Sequence, residues 1–181
     1  MQKTGVQRTG GTIVNRYMGV VLAGLIALSC GNAVAGADGV MAKLLALEGE
    51  WTFLDEDGKD TGVVGTVFKP TANGSALSEV MVPGGDHEML NVYHADGDRV
   101  LMTHYCAAGN QPRMEIVPAG EDRLELRFDS ITNLADEGAN HMRQAEYHFR
   151  GPDRLTTYWY SMRDGKLSEE ATVIDLARKS E

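Results

Sequence analysis

Cysteine is scarce in this 181-residue chain, with Cys30 and Cys106 the only two. A fold stapled by several disulfides is therefore excluded, and the core must hold the chain together. Positive charge is also short, with 17 Lys and Arg against 26 Asp and Glu, a formal charge of −9. An acidic chain lacks the basic face that binding to a phosphate backbone requires, so nucleic acid is not an expected partner. Anionic lipid surfaces should repel it for the same reason. No apolar run reaches the ~20 residues of a membrane span. A Gly-x-Ser-x-Gly elbow, a phosphate loop and a dinucleotide fingerprint are missing as well.

The N-terminus reads as a targeting segment. Lys3, Arg8 and Arg16 precede an apolar run from Tyr17 to Leu28, and Ala33-Val34-Ala35 offers a small-x-small cleavage site. This is the layout of a secretory signal peptide. Residues 1–35 are expected to be removed, leaving 36–181 as one periplasmic or secreted domain with no integral span. Cys30 follows Ala27-Leu28-Ser29, a lipobox-like sequence with its leucine one place off. Lipidation at Cys30 therefore stays open. Without it, Cys106 is the one thiol of the exported chain.

Val40–Leu47 is a short helical candidate, with Met41, Leu44 and Leu45 at helical spacing. From Glu48 onward helical periodicity stops. Runs rich in Val, Thr, Tyr, Phe and Trp alternate with turn signals. They predict ten strands: 48–54, 62–68, 75–82, 87–95, 98–106, 113–117, 123–131, 141–149, 155–162 and 170–178. The links are too short for parallel crossovers. An all-β fold follows, a ten-stranded antiparallel up-and-down barrel with a short N-terminal helix, because closure removes exposed edges. A two-sheet sandwich is the alternative. Leu124, Leu126 and Phe128 alternate with charged residues and should point inward. If the link between the two strands has an odd number of residues, Ala145, Tyr147 and Phe149 share a face with Leu155 and Trp159, placing small Ala145 opposite large Trp159.

Asp96-Gly97 is the strongest hairpin signal in the chain. Taken as a two-residue turn, it pairs Tyr93 with Val100, Asn91 with Met102, Met89 with His104 and His87 with Cys106. One face then carries His87, Met89, Asn91, Tyr93, Val100, Met102, His104 and Cys106. Two imidazoles, a thiol and two thioethers on one face make a soft, titratable patch. A ligand site uses a few such polar groups on an apolar wall. The expected ligand-binding residues are therefore His87, Met89, Asn91, Tyr93, Met102, His104 and Cys106. The same groups would suit a transition metal or haem, or a base and nucleophile. Glu79 on the preceding strand faces either way, because the Pro83–Asp86 link leaves the register unset. If interior, it is a buried acid with a raised pKa. His87-Glu88 lacks the second histidine of a zinc-protease helix, and Asp55–Asp60 lacks the glycine and glutamate of a calcium loop. No metal, cofactor or catalytic residue is assigned.

Gly49-Glu50-Trp51, following a short helix, resembles the Gly-x-Trp mark of the lipocalins and the wider calycin group. The resemblance implies that Trp51 packs at the closed end of a barrel under an arginine from the last strand. Arg178 falls at the matching place. The segment from His104 to Met114 also looks like one found in secreted, lipocalin-like bacterial proteins of no settled activity. Ten strands and no disulfide lean toward the fatty-acid-binding branch. Together these readings point to extracytoplasmic binding of a small, partly apolar ligand in the barrel lumen. A lumenal enzyme or a metal- or haem-binding protein is the alternative.

Overall fold

The computed structural model describes residues 36–180. The expected targeting segment 1–35, with its expected cleavage site, and Cys30 lie outside the described residues. Helix α1 spans Ala37–Leu45, starting three residues earlier than its apolar spacing predicts. Val40, Met41 and Leu44 are buried in the core, while Asp38 in the first turn and Lys43 in the last suit the helix dipole. No helix among the described residues is long and apolar enough to cross a membrane.

Eleven strands follow: β1 Gly49–Leu54, β2 Asp60–Thr71, β3 Ala76–Met81, β4 Met89–Asp96, β5 Arg99–Tyr105, β6 Gln111–Pro118, β7 Arg123–Thr132, β8 His141–Phe149, β9 Arg154–Arg163, β10 Lys166–Leu167 and β11 Thr172–Arg178. Each of β1 to β8 pairs with the next, β8 pairs with β9, β9 with β11, and β11 with β1. The result is a closed, antiparallel, ten-stranded barrel, so the sandwich alternative falls. Two-residue β10 is an addition at the end of β9, outside the circuit.

Prolines bound the strands less than expected. The predicted strands 62–68 and 113–117 stop short of Pro70, Pro112 and Pro118, yet all three lie within β2 or β6. The ladders explain it. The β1–β2 ladder ends at Phe68, and the β5–β6 ladder covers Arg113 to Ile116. Each proline therefore has a ladder on one side only, where a missing N–H is tolerated.

The β4–β5 hairpin departs from its expected register. Gly97 and Asp98 form the turn, with φ +64° at Gly97, and Asp96 pairs with Arg99. Glycine at the first central position is the signature of a II′ turn, whereas the expectation centred the turn on Asp96-Gly97. Tyr93 thus pairs with Met102 and Asn91 with His104. The slip is two residues, so every side chain keeps its face. The ladder ends at Leu90–Tyr105, and the expected His87–Cys106 pair does not form.

One end of the barrel is sealed by α1 and the Trp51 corner. Trp51 is 1% exposed and donates from Nε1 to Leu47 O at 2.8 Å. Arg178 pairs with Trp51 across the strands, and its guanidinium carbon lies 4.5 Å from the ring centroid. The same guanidinium donates to Glu48 O at 2.6 Å and to Ala46 O at 2.8 Å, satisfying the carbonyl of the helix C-cap and one in the turn before β1. Gly49 has φ +125°, and a Cβ there would meet Arg178 Nη1 at 3.4 Å. The contact is ordinary, so it is the positive φ that explains a glycine two residues before the tryptophan. The other end, the mouth, carries the links 55–59, 82–88, 106–110, 133–140 and 164–171.

Candidate functional site

The ladders align Glu79 on β3, Asn91 on β4 and His104 on β5 in one row across the inner wall. All three are buried, with Glu79 at 2%, Asn91 at 0% and His104 at 1% exposure. Glu79 Oε1 accepts from Thr66 Oγ1 at 3.0 Å. Glu79 Oε2 accepts from Asn91 Nδ2 at 2.7 Å, from the Tyr93 hydroxyl, and from the Tyr147 hydroxyl at 3.3 Å. Asn91 Oδ1 in turn meets His104 Nδ1 at 2.7 Å. Burial pushes the Glu79 carboxyl above its ordinary range, against the opposing pull of its donors Tyr93, Asn91, Thr66 and Tyr147. Burial alone lowers the His104 imidazole to about 4, so it is neutral near pH 7. Tyr93 and Tyr147 stay protonated, their pKa values raised by burial and by the Glu79 charge.

Two contacts cross the lumen. Tyr93 on β4 and Tyr147 on β8 meet hydroxyl to hydroxyl at 2.7 Å. The His104 ring on β5 lies 5.5 Å from that of Trp159 on β9. Neither strand pair is adjacent in the barrel. Together they form a two-layer floor, and His104 with Trp159 is the layer nearer the mouth. Above it, half-buried Phe53, Met89, Met142 and Ile174 stand at the mouth ends of four strands and pack onto the core. Below it, Trp51, Phe68 and Leu77 are almost wholly excluded from solvent.

The expected site residues divide accordingly. Asn91, Tyr93, Met102 and His104 are buried on the inner face, and Met89 is half-buried at its mouth end. His87 is exposed in the link before β4, and half-buried Cys106 begins the turn after β5, where its sulfur accepts from Ala108 N at 3.5 Å. Those two are rim residues, because the shifted hairpin leaves both beyond the ladder. Glu79 faces inward with a raised pKa. Thr66 and Tyr147 join the network without having been singled out. The alternation of Ala145, Tyr147 and Phe149 groups Tyr147 with Trp159 on one face, but nothing local marks its partner 54 residues away. Ala145 does lie opposite Trp159.

Among the described residues, no three His, Cys, Asp or Glu side chains converge as a metal site requires. An open groove of about 300 Å³, lined by Thr103, Tyr105, Gln111, Arg113, Ser130 and Thr132, lies on the outer wall and does not lead to the His104 row. The closed barrel and the Trp51–Arg178 corner are consistent with a calycin-like fold. No protein-family model and no curated protein matches the chain.

Proposed function

We propose that this protein is an extracytoplasmic barrel that binds a small, partly apolar molecule at the mouth side of its lumen. The observation that carries the reading is His104 Nε2. It is buried, it faces no hydrogen-bond partner, and it belongs to the layer nearer the mouth. A buried polar atom left unpaired costs about 1–3 kcal/mol, so such atoms call for an explanation. A ligand that pairs with it removes the cost. The half-buried Met89 and Met142 are unbranched and adaptable, suited to yield as a ligand enters. The extracytoplasmic setting rests on the basic start, the apolar run and Ala33-Val34-Ala35.

The test is native mass spectrometry of the protein isolated from the cells that make it. A bound small molecule should appear and should be released by organic solvent. A bare polypeptide mass under gentle ionisation overturns the reading. Intact mass of the same sample reports cleavage after Ala35, and retention of residues 1–35 overturns the export claim.

A further inference from the structure

The orientation of Asn91 sets the chemistry of the unpaired atom. Asn91 Nδ2 is surrounded by acceptors: Glu79 Oε2 at 2.7 Å, Met81 Sδ at 3.4 Å and Tyr93 Oη at 3.4 Å. That end of the amide is therefore the donor, and Oδ1 is the end that meets His104. A carbonyl oxygen only accepts, so His104 Nδ1 carries the ring proton. A neutral imidazole has one such proton, and Nε2 is left as a bare lone pair.

The same logic holds at two further atoms. His141 Nδ1 faces Ala139 O at 2.9 Å, which leaves His141 Nε2 bare. Asn110 Nδ2 donates to Asn140 O at 2.9 Å, which leaves Oδ1 without a donor. These three are the buried side-chain atoms without a partner among the described residues. All three are acceptors, and all belong to the mouth half: the end of β5, the 106–110 link and the start of β8. No Lys or Arg is among the buried polar residues, and the one buried acid is Glu79. A carboxylate set against His104 Nε2 would meet a lone pair, and half-buried Arg143 at the start of β8 is already stacked on the Phe128 ring, its guanidinium carbon 3.6 Å from the centroid.

We infer that the mouth half of the lumen selects an uncharged ligand whose head donates a hydrogen bond, a hydroxyl or N–H compound, and that His104 Nε2 accepts it. This rests on the lumenal reading above. At His104 it disfavours the ligand class that barrels of the fatty-acid-binding branch would suggest, an anionic carboxylate. Trp159 beside His104 offers a flat apolar wall for the body of the molecule.

Two measurements test it. The first needs no ligand: long-range proton–nitrogen spectra of the ring nitrogens, with backbone-based assignment, at pH 7.5. His104 and His141 should both show a protonated Nδ1 and an unprotonated Nε2. A protonated Nε2 at His104 overturns the inference while leaving lumenal binding standing. The second uses phenol, anisole and benzoate, matched in ring but differing in head. Phenol should bind at least about tenfold more tightly than either, and it alone should move the His104 Nε2 signal. Anisole or benzoate binding as well as phenol overturns the donor requirement but not the lumenal site. Failure of all three to bind counts against the lumenal site itself, and the inference falls with it.

Discussion

Arg178→Ala tests the sealed end of the barrel. The substitution removes three things at once. The guanidinium lies 4.5 Å from the Trp51 ring centroid, a cation–π contact of about 0.5–2 kcal/mol. It also holds the carbonyls of Glu48 and Ala46, bonds from a charged donor that contribute about 1.5–3 kcal/mol where water does not replace them. It pairs with Asp153 as well, which is 66% exposed, an ion pair that contributes about 0–1 kcal/mol, and its longer bond to Pro152 O at 3.3 Å adds little. The expected loss is about 2–6 kcal/mol. Trp51→Ala should cost about 3–5 kcal/mol as a buried large aromatic. The double variant should lose less than the two single losses together, by at least about 0.5 kcal/mol, because the cation–π term can be lost only once. Guanidinium melts of the four proteins measure it. Additivity within about 0.3 kcal/mol would show that the two side chains do not interact and would remove the Gly-x-Trp corner as a source of stability. Arg178→Lys keeps the charge but not the two-carbonyl fork, and should fall between wild type and Arg178→Ala.

The His104 row makes stability depend on pH in two opposite ways. The imidazole binds its proton at about 4 when folded against about 6.5 when unfolded, so its contribution is full above pH 6.5 and is lost as pH falls, by roughly 3 kcal/mol near pH 4. Denaturant melts from pH 4 to 7 should show that slope, and His104→Gln should flatten it; an unchanged slope refutes the assignment. Glu79 has a raised pKa, so its contribution is full below its ordinary value and is lost as pH rises through the folded value. Glu79→Gln preserves the geometry: its carbonyl takes the Asn91 and Tyr93 donors, and its amide donates to Thr66 Oγ1, which still donates to Val80 O at 3.1 Å. The variant should therefore gain on wild type as pH rises, and a constant difference across pH would mean Glu79 does not titrate differently on folding. Gly49→Ala should destabilise by about 1 kcal/mol or more, since it forces a φ of +125° on a residue with a Cβ; a neutral result in a thermal melt would refute the backbone geometry of the corner.

The strands and their faces were legible because alternation survives small errors. The hairpin shows how. Placing the turn one residue early moved every β4–β5 partner by two positions yet left Asn91, Tyr93, Met102 and His104 on the inner face. The cost appeared at the strand ends, where His87 and Cys106 fell off the ladder. Strand ends at Pro70, Pro112 and Pro118 were misread because a missing N–H matters only where a neighbouring strand would accept it, and neighbours are set by the whole barrel. Glu79 could not be assigned a face because the 82–88 link contains Val82 at φ +53° and a glycine-rich turn whose length does not fix register. The floor of the site was out of reach for a different reason. Tyr93–Tyr147 and His104–Trp159 join strands that are not neighbours, and no pairing rule along the sheet gives the distance across a lumen.

The two ends of this barrel answer different physical demands. At the sealed end the polar contacts serve the fold: Arg178 satisfies carbonyls between the helix and β1, Trp51 satisfies Leu47, and Gly49 supplies a positive φ. The row of Glu79, Asn91 and His104 has no such duty. A buried chain of acid, amide and imidazole is costly to desolvate, and replacing such a chain by apolar side chains of similar volume is often neutral or stabilising. The barrel closes through backbone ladders that do not depend on these side chains. The row also ends on an unpaired atom, which a purely structural network would avoid, since a half-satisfied network is worse than an apolar core. What the row does accomplish is specific. Asn91, held by Glu79, fixes the imidazole in one tautomer, and burial keeps it uncharged. The outcome is an oriented lone pair in the layer nearer the mouth, an arrangement with little value to folding and the one the proposed donor-bearing ligand would use.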